Sequence, residues 1–584
     1  MRLRAYLAYL RITLLLTSRD RVVLFFNYLM PLLFFIAFSE GLGAGTNPGA
    51  MSQVVSMVII FGVLGTGFFG GGIRATMDRE AGILRRFKVA PITPAPILAA
   101  SLVTGWALFL PSVFLFILLA KWRYGWQVPS NVFSLLVVVT AGVLAFRAMG
   151  LIIASVVNSM QESQIIAQLF YMPLLLLSGA TVPLHILPAW LQKLAQFLPA
   201  THLYLGTQGI LVRGETAWDN RAAIGAMLLA AAAGFLISLK LFRWEKEEKI
   251  RPAAKLWLAA VLLPFIAIGA WQLRSEDSQR KMRILERQSR RSQSWLIRDA
   301  RIFPGSGPVM ERGAVLVRNG RIERVFNGSA PSPKELRAET LEAGGRTLLP
   351  ALIDSGAVLP ADNAGEDRGL ASYVYCGVGA IVVTPDARGA VLALKRRVDD
   401  GELLGPEIFF AMSPPAISLA AAQAASGDTS ILAGDLAQQF YAPGWLQGLA
   451  TNAARRPAQP ELFQAARERL RALWQSGELP APAGAAAGPL GLPGPALVHE
   501  LTLWTQAGVP APRALEAATA GAAARLGAQG RLGCVREGCE ATLLLVDGNP
   551  LEDIGALNRI HSVFLKGERV SRAELASQNK SDEK

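Results

Sequence analysis

Few residues in this chain have the types and spacing that catalytic chemistry requires. Only four histidines occur in 584 residues, at positions 185, 202, 499 and 561. The three cysteines form no C-x-x-C pair of the kind that binds zinc. The chain also contains no Gly-Lys pair, and it therefore lacks the G-x-x-x-x-G-K-[ST] loop that holds the phosphates of ATP. We expect no ATP hydrolysis by this polypeptide itself.

One ionisable residue, Arg147, lies inside a long apolar run, and Glu162 lies near the start of the next predicted helix. A charge within a membrane normally faces a partner or a cavity. Pairing of Arg147 with Glu162 is therefore a hypothesis that the structure can test. The other apolar runs carry few charges, which favours an amphiphilic or hydrophobic cargo over a small ion.

The elements that position these residues are predicted to be membrane helices. Hydrophobic residues make up 52% of the chain and charged residues 17%, whereas soluble chains carry about 25% charged residues. This composition excludes a wholly soluble enzyme, a disordered scaffold and a small disulfide-stapled protein. Runs of about 20 apolar residues, long enough to cross a bilayer, lie near 22–39, 51–73, 97–120, 132–157, 162–181, 220–241 and 254–272.

The basic residues indicate how these helices are oriented. The net charge is +14, which beside membrane spans marks the cytoplasmic ends of helices rather than a nucleic-acid site. With a cytoplasmic N-terminus, sixteen Lys and Arg lie inside and four outside. The seventh run then places the rest of the chain outside the cell, although the arginine-rich stretch 274–301 would by itself prefer the cytoplasm. If the seventh run does not cross, this part is cytoplasmic.

Changes in composition predict five regions. They are a transmembrane domain (1–250), a seventh span (251–272), a charged helical stalk (273–294), a water-soluble domain (295–575) and a disordered tail (576–584).

The first region resembles the type-2 ABC (ABC-2) transporter permeases over about residues 1–250, with six spans and a basic loop after the second. The most specific stretch is Asp78–Pro91, followed by Pro94 and Ile97. In that family this cytoplasmic helix docks into a cleft of the ATPase subunit. The alternative is a helix on the lipid surface with snorkelling arginines. The coupling residues that the resemblance implies are Glu80, Gly82, Leu84, Arg85, Arg86, Phe87 and Pro91.

A second stretch resembles the extracellular gate of the same permeases. Serine, glycine and prolines break the fifth span at its outer end, and leucines then recur at helical spacing. Such broken helices are tolerated at membrane depth only within protein or beside a cavity. The implied gate residues are Ser178, Gly179, Pro183, Pro188, Trp190 and Pro199.

The resemblance also implies partners and a location. The chain is expected to pair with a separate ABC ATPase subunit, which binds ATP and Mg, and with a second permease copy or a paralogue. It is expected to be a multi-pass protein of the plasma or inner membrane. No cofactor is expected in the chain itself.

The water-soluble region, in pieces over about 295–575, resembles the imidazolonepropionase-like branch of the amidohydrolases. Residues 296–302 and 314–322 alternate as strands do, and Asn319-Gly320 within the second stretch is typical of a hairpin turn. Pieces of 507–519 and 532–551 match the family's closing segment. The expected fold class is an α-helical polytopic membrane domain followed by an α/β domain. That α/β domain is a truncated amidohydrolase-like (β/α) barrel with a small β-sandwich.

The metal chemistry of that family is expected to be absent. Aligning Leu349–Asp354 with the family motif places Gly356 and Val358 where two histidine ligands belong, and Ala486 where a late aspartate belongs. Glycine, valine and alanine cannot coordinate zinc. About 145 residues separate Asp354 from His499, too few for a full barrel of about 250 residues. Cys534 and Cys539 are either a local disulfide or two small strand residues.

Three functions follow from these observations. The first is the permease subunit of an ABC-2 exporter, driven by a separate ATPase and carrying an inert amidohydrolase-like accessory domain. The second is a membrane-anchored, metal-dependent amidohydrolase, and the third is a scaffold or sensor that no longer transports.

Overall fold

The computed structural model describes residues 2–45, 47–88, 93–182, 184, 187–245, 263–275, 277–359, 363–384, 389–411 and 418–581. The chain divides into two compact units, Met1–Ser289 and Arg290–Lys584. They are called unit 1 and unit 2 below.

The regular secondary structure in the described residues of unit 1 is helical. Its helices are α1 (Arg2–Arg19), α2 (residues 21–41), α3 (Pro48–Glu80), α4 (Ile83–Lys88), α5 (Pro94–Tyr124), α6 (Val132–Val156), α7 (Met160–Leu177), α8 (Ala189–Ala195), α9 (Pro199–Arg213), α10 (Arg221–Lys240), α11 (Leu263–Ser275) and α12 (Asp277–Arg291). Helix α3 contains a π-helical segment, Thr66–Ile73.

Four of these helices, α3, α5, α6 and α10, are long and apolar enough to cross a membrane by length and composition. They confirm a polytopic membrane domain. The count of seven spans stays a prediction, and residues 251–262 of the seventh predicted run lie outside the described residues.

Local sequence explains where the membrane helices begin and end. Asn47 caps α3, because its Oδ1 accepts the N–H groups of Gly49 and Ala50 at 2.8 and 3.2 Å, and Pro48 occupies the first helical position. Gly125 ends α5 in the left-handed conformation, with φ of 67°. The core of unit 1 surrounds α6, whose residues are nearly all buried between Ala141 and Val156. Such burial on every side explains its uniformly apolar sequence.

Unit 2 contains one large sheet built from both of its chain ends. The strands are β1 (Trp295–Ile302), β2 (Met310–Arg318), β3 (Arg321–Asn327), β4 (Glu339–Glu342), β5 (Thr347–Pro350), β9 (Leu543–Val546), β10 (Ile560–Leu565) and β11 (Glu568–Val570). Their order is β11-β10-β9-β5-β1-β2-β3, and β4 also pairs with β1. The predicted hairpin turn is confirmed, since Asn319 and Gly320 join β2 to β3 with φ of 50° and 76°.

A second sheet holds three parallel strands in the order β6 (Leu352–Asp354), β7 (Val378–Val383) and β8 (Glu407–Phe410). Helices α13 (Asn363–Tyr375) and α14 (Ala390–Asp399) connect them. Two βα crossovers and three parallel strands among the described residues agree with a truncated (β/α) barrel, and the predicted fold class is confirmed.

Helices form most of the remainder of unit 2. They are α15 (Leu419–Ala425), α16 (Asp435–Phe440), α17 (Pro443–Ala454), α18 (Pro460–Gln475), α19 (Pro495–Gln506), α20 (residues 511–525) and α21 (Arg572–Ser581), with a short 3₁₀ turn at Ala485–Leu490. The prediction of a disordered tail from residue 576 is wrong up to Ser581. Helix α21 is held in place because the side-chain amide of the buried Asn579 donates to the carbonyl of Phe440 at 2.8 Å.

Candidate functional site

The predicted coupling residues form a helix–turn–helix at the end of α3. Helix α3 ends at Glu80, Gly82 turns the chain with φ of 69°, and α4 follows from Ile83 to Lys88. A non-glycine residue disfavours this left-handed conformation, which explains the glycine at this turn. Pro91 lies outside the described residues.

The two faces of α4 have different surroundings. Leu84 is buried, and the ring of Phe87 contacts Tyr9 edge-to-face with centroids 5.4 Å apart. These two side chains therefore pack on unit 1 itself. The face that remains accessible is formed by Ile83, which is 41% exposed, and by the exposed residues Arg85 and Arg86. The available surface is thus more basic and less apolar than the sequence predicts.

A buried arginine joins this segment to the end of α6. Arg79 is 4% exposed, and its guanidinium donates to the carbonyls of Ala154 and Val157 at 2.6 and 2.7 Å. The last carbonyls of a helix have no partners within the helix and carry its partial negative charge. Arg79 therefore connects the predicted coupling segment directly to α6.

The chain after α10 returns to the same region. The guanidinium of Arg243 donates to the side-chain oxygen of Asn158 at 3.0 Å and to the carbonyl of Val157. Glu245 pairs with Lys88 at 3.1 Å and with Arg85 at 4.0 Å. The ends of α3, α6 and α10 and the start of α7 therefore meet at one end of the bundle.

Arg147 lies on α6 against the π-helical segment of α3. It is 7% exposed, and its Nη1 donates to the carbonyl and to the hydroxyl of Thr66 at 2.9 and 3.1 Å. A Cβ added at Gly105 would lie 2.2 Å from that Nη1, so glycine provides the space for the guanidinium. π-Helical geometry changes the regular backbone pairing, and the arginine satisfies a carbonyl there.

The predicted pairing of Arg147 with Glu162 is wrong. Glu162 lies in the first turn of α7, where its side chain accepts the N–H of Asn158 at 2.8 Å and its own N–H donates to Ser159 at 3.1 Å. Glu162 thus helps to cap a helix, while the partners of Arg147 are on α3. The two residues are close in sequence, but their side chains bind different partners.

The predicted gate residues lie in a segment between α7 and α10, residues 178–220, called the hairpin segment below. Ser178 is buried and donates to the carbonyl of Leu175 at 3.0 Å. Gly179 has φ of 91°, and an added Cβ would lie 2.8 Å from the ring of Tyr204. Pro188 precedes α8, Trp190 on α8 is 67% exposed, and Pro199 begins α9. Pro183 and His185 lie outside the described residues.

Residues 243–245 and residues 265–281 contact opposite ends of the helices of unit 1. The first group lies at the start of α7, beside Asn158. The second lies at the hairpin segment beyond the end of α7, where the ring of Phe265 stacks on His202 with centroids 5.9 Å apart. Helix α7 has 18 residues, or about 27 Å. The described residues before 246 and after 262 therefore contact regions at opposite ends of α7.

In unit 2, the end of β6 carries a buried carboxyl group. Asp354 is fully buried, and its Oδ1 accepts the N–H groups of Gly356 and Gly484 at 3.0 and 2.9 Å. Burial is the main cause that raises the pKa of Asp354 to about 6. This carboxyl connects the loop after β6 to the segment before α19.

Of the predicted lost-ligand positions, Gly356 contacts this carboxyl through its backbone N–H group. A Cβ added at Gly356 would lie 2.7 Å from the Cβ of Ala483, so a histidine does not fit there. Val358 is 53% exposed, and the backbone of Ala486 lies in the 3₁₀ turn. Among the described residues, no three His, Cys, Asp or Glu side chains are grouped as metal ligands. The residues present do not fit the metal of the family.

A second buried carboxyl group, Glu500 on α19, binds the N-terminus of α15. Its oxygens accept the N–H groups of Leu419 and Ala420 at 3.0 and 2.6 Å and the indole N–H of Trp504 at 2.8 Å. Burial is the main cause that raises the pKa of Glu500 to about 7, and the N–H donors oppose that rise. Glu500 therefore satisfies free N–H groups in the first turn of α15.

The two histidines of unit 2 lie apart from Asp354. The Nε2 of His499 bonds to the side-chain oxygen of Gln423 at 2.7 Å, and burial lowers the pKa of His499. His561 is exposed on β10. The structure resolves the cysteine alternatives, because Cys534 and Cys539 are bonded to each other. Cys376 is buried and free.

Sequence reasoning missed Arg79, Glu500 and an ion pair between Glu215 and Lys281. Each makes contacts with residues distant in sequence, and no local spacing marks them. The position of Arg79 within the stretch Asp78–Pro91 is the sequence feature that could have indicated its role.

Parts of both units are similar to known protein families. A family model described as ABC-2 type transporter matches residues 4–212, and one described as Amidohydrolase family matches residues 495–570. The inner membrane transport permease YhhJ of Escherichia coli is 25% identical over 202 residues, which are 34% of this chain and 51% of that protein. The linearmycin resistance permease protein LnrN of Bacillus subtilis is 29% identical over 171 residues, which are 28% of this chain and 43% of LnrN. The chain thus spans about half the length of the first of these relatives.

Solved structures similar to this chain include a Xaa-Pro dipeptidase with bound methionine, at 16% identity and a TM-score of 0.36. A putative prolidase from Bifidobacterium longum is 18% identical, with a TM-score of 0.37. The matches cover 48% and 50% of this chain and all of each solved chain.

Proposed function

Because residues 4–212 match the family model described as ABC-2 type transporter, we propose that this chain is the membrane-spanning permease subunit of an ABC-2 exporter. Its cargo is amphiphilic or hydrophobic, of the drug, lipid or glycoconjugate class, because the membrane helices are mostly apolar. The family match carries this proposal, since it includes α3 to α7 and the segment that joins α3 to α5.

The energy comes from ATP and Mg bound by a separate ATPase subunit that docks on α4. The accessible basic face of α4, Arg85 and Arg86, fits an acidic cleft on such a partner, and Ile83 supplies a small apolar contact. Arg79 gives the docked helix a direct connection to α6. The proposed coupling residues are Glu80, Gly82, Leu84, Arg85, Arg86, Phe87 and Pro91, of which Leu84 and Phe87 hold α4 on unit 1.

The permease acts as a dimer with a second copy or a paralogue. Large apolar side chains are exposed along the membrane helices, for example Phe133, Ile165, Leu169 and Leu229. Lipid and the second permease copy would cover these surfaces.

The N-terminus and α4 lie in the cytoplasm, and the hairpin segment and unit 2 lie outside. Two observations support this orientation. The basic end of the bundle carries Arg79, Lys88 and Arg243, as cytoplasmic ends do, and α11 contacts the opposite end. The bond between Cys534 and Cys539 suits an oxidising compartment outside the cytoplasm. The hairpin segment is then the outer gate.

Unit 2 is a catalytically inert accessory domain. Gly356 and Val358 offer no metal ligand, and Ala483 lies too close to position 356 for a histidine side chain. The Oδ1 of Asp354 accepts two backbone N–H groups, which gives this carboxyl a structural role.

Affinity purification of the full chain from its native membrane tests the proposal. We expect an ATPase subunit to co-purify, and we expect the Arg85→Glu/Arg86→Glu variant to lose it because charge reversal repels an acidic cleft. Lys193→Glu, which reverses an exposed charge on α8, is the matched control and should retain the ATPase. Co-purification that the double variant does not weaken would contradict docking on α4.

A further inference from the structure

The helices that lead from the membrane domain towards unit 2 are bound to the hairpin segment by a partly buried charged cluster. The Nζ of Lys281 on α12 lies 2.6 Å from the Oε2 of Glu215 and 3.0 Å from the Oδ1 of Asn220. The side chains of Glu215 and Lys281 are 12% and 23% exposed. Because both groups are partly dehydrated, their attraction is stronger than that of an exposed ion pair.

The hairpin segment is shaped to hold this carboxylate. The side-chain amide of Asn220 donates to the same Oε2 at 3.0 Å, and Arg213 lies 3.5 Å from the other oxygen. A Cβ added at Gly209 would lie 2.2 Å from the Oε2 of Glu215 and 2.9 Å from the Nζ of Lys281. Glycine at this position therefore makes room for the pair.

A second, apolar contact lies further along the same helices. Phe265 on α11 is fully buried and stacks on His202. Gly269 approaches the ring of Phe197 so closely that an added Cβ would lie 2.6 Å from it. Helices α11 and α12 thus contact the hairpin segment at two separate points, one polar and one apolar.

From these contacts we propose that α11 and α12 form a latch that holds the outer gate closed and through which unit 2 regulates export. Only three residues separate the end of α12 at Arg291 from the start of β1 at Trp295. With so short a connection, a partner or cargo that displaces unit 2 pulls on α12 and separates Lys281 from Glu215. This inference rests on the proposed permease function and adds its regulation.

Labelling of a buried thiol in the gate tests the latch in the full chain reconstituted in lipid vesicles, without nucleotide. The reporter is Thr201→Cys, a conservative change at a position that is 1% exposed. The native cysteines do not interfere, because Cys376 is buried and the other two are bonded to each other. The probe is a membrane-impermeant maleimide.

Lys281→Glu places a negative charge against Glu215, and we expect it to raise the labelling rate about tenfold by increasing the open population. Lys281→Arg, which keeps the charge, and Lys193→Glu, the matched control on α8, should label at the parent rate. Phe265→Ala tests the apolar contact independently and should also raise the rate. Parent-like labelling in both Lys281→Glu and Phe265→Ala would overturn the latch, as would an equal rise in Lys193→Glu.

The same variants separate failure of the latch from failure of the permease function. Labelling reports gate opening without any ATPase, so an increase in Lys281→Glu supports the latch even if no ATPase partner exists. If an ATPase co-purifies but labelling stays at the parent rate, the permease function stands and the latch is wrong.

Discussion

At the scale of single residues, the loss of metal chemistry in unit 2 involves space as well as ligands. The sequence predicts that Gly356 and Val358 replace histidines. The structure adds that a Cβ at position 356 would overlap Ala483 and that Val358 is exposed. The Oδ1 of the buried Asp354 bonds to two backbone N–H groups. A single reverse substitution therefore does not restore the site.

Gly356→Ala should destabilise unit 2 by about 1–3 kcal/mol, because the new methyl group overlaps Ala483. Val358→Ala, at an exposed position, should change its stability by less than about 0.5 kcal/mol. Thermal unfolding of the two full-length variants measures the difference. Equal melting temperatures would show that the space around Gly356 is open.

Asp354 makes the stability of unit 2 depend on pH. Its pKa is about 6 in the folded state and about 3.9 when unfolded, so the folded state binds the proton more tightly. The free energy of unfolding should therefore fall as pH rises from about 4 to about 6 and stay low above that. Ionising the buried carboxyl therefore destabilises the folded state above pH 6. Asp354→Asn removes that ionisation and should stabilise unit 2 at pH 8 by about 2–3 kcal/mol.

Native-state hydrogen exchange of the buried amides of β6 and β7 in the full chain measures this effect. Protection should rise in Asp354→Asn at pH 8, relative to the parent at the same pH, and should rise less at pH 5. The exposed Asp435→Asn is the control and should leave protection unchanged. Lower protection in Asp354→Asn at pH 8 would show that the ionised carboxylate stabilises the fold.

At the scale of elements, the sequence predicts those parts that depend on local pattern. The lengths of the apolar runs predict α3, α5, α6 and α10, and the dipeptide Asn319-Gly320 predicts the β2–β3 hairpin. Contacts between distant segments were not predictable, because nothing near Glu162 indicates that Arg147 bonds to Thr66 instead. The helical tail was missed for the same reason, since Asn579 reaches Phe440, which is 139 residues away.

The connection between the coupling segment and α6 gives a prediction at this scale. Arg79→Met leaves the carbonyl of Ala154 without its charged donor, whereas the carbonyl of Val157 keeps the guanidinium of Arg243. The variant should cost about 1.5–3 kcal/mol of stability. The proposed coupling predicts that this variant still binds the ATPase but loses cargo-stimulated ATP hydrolysis.

The matched control is Arg74→Met on the same helix, whose partners Asp20 and Asp78 form half-exposed ion pairs. It should cost less than about 1 kcal/mol. Thermal unfolding and ATP turnover of the purified complex compare the two. If Arg74→Met and Arg79→Met behave alike, Arg79 has no special part in transmission.

At the scale of the whole molecule, residues 4–212 of unit 1 match the ABC-2 type transporter model and residues 495–570 of unit 2 match the Amidohydrolase family model. The described ends of the chain on either side of 246–262 lie at opposite ends of the bundle. This geometry, together with the disulfide bond, favours a unit 2 that lies outside the cell.

Protease added to intact spheroplasts should therefore remove unit 2 and leave an N-terminal tag intact. An impermeant reductant should also make Cys534 and Cys539 available to an impermeant maleimide. Cleavage and labelling only after the membrane is opened would place unit 2 in the cytoplasm.

The central claim is that this chain conducts cargo while another subunit hydrolyses ATP. Nucleotide turnover by the purified chain, alone and after reconstitution with its co-purified ATPase, tests that claim most directly. We predict no turnover by the chain alone, and turnover by the complex that cargo stimulates and that Arg85→Ala/Arg86→Ala abolishes. Turnover by the chain alone, or turnover that the double variant leaves unchanged, would contradict the claim.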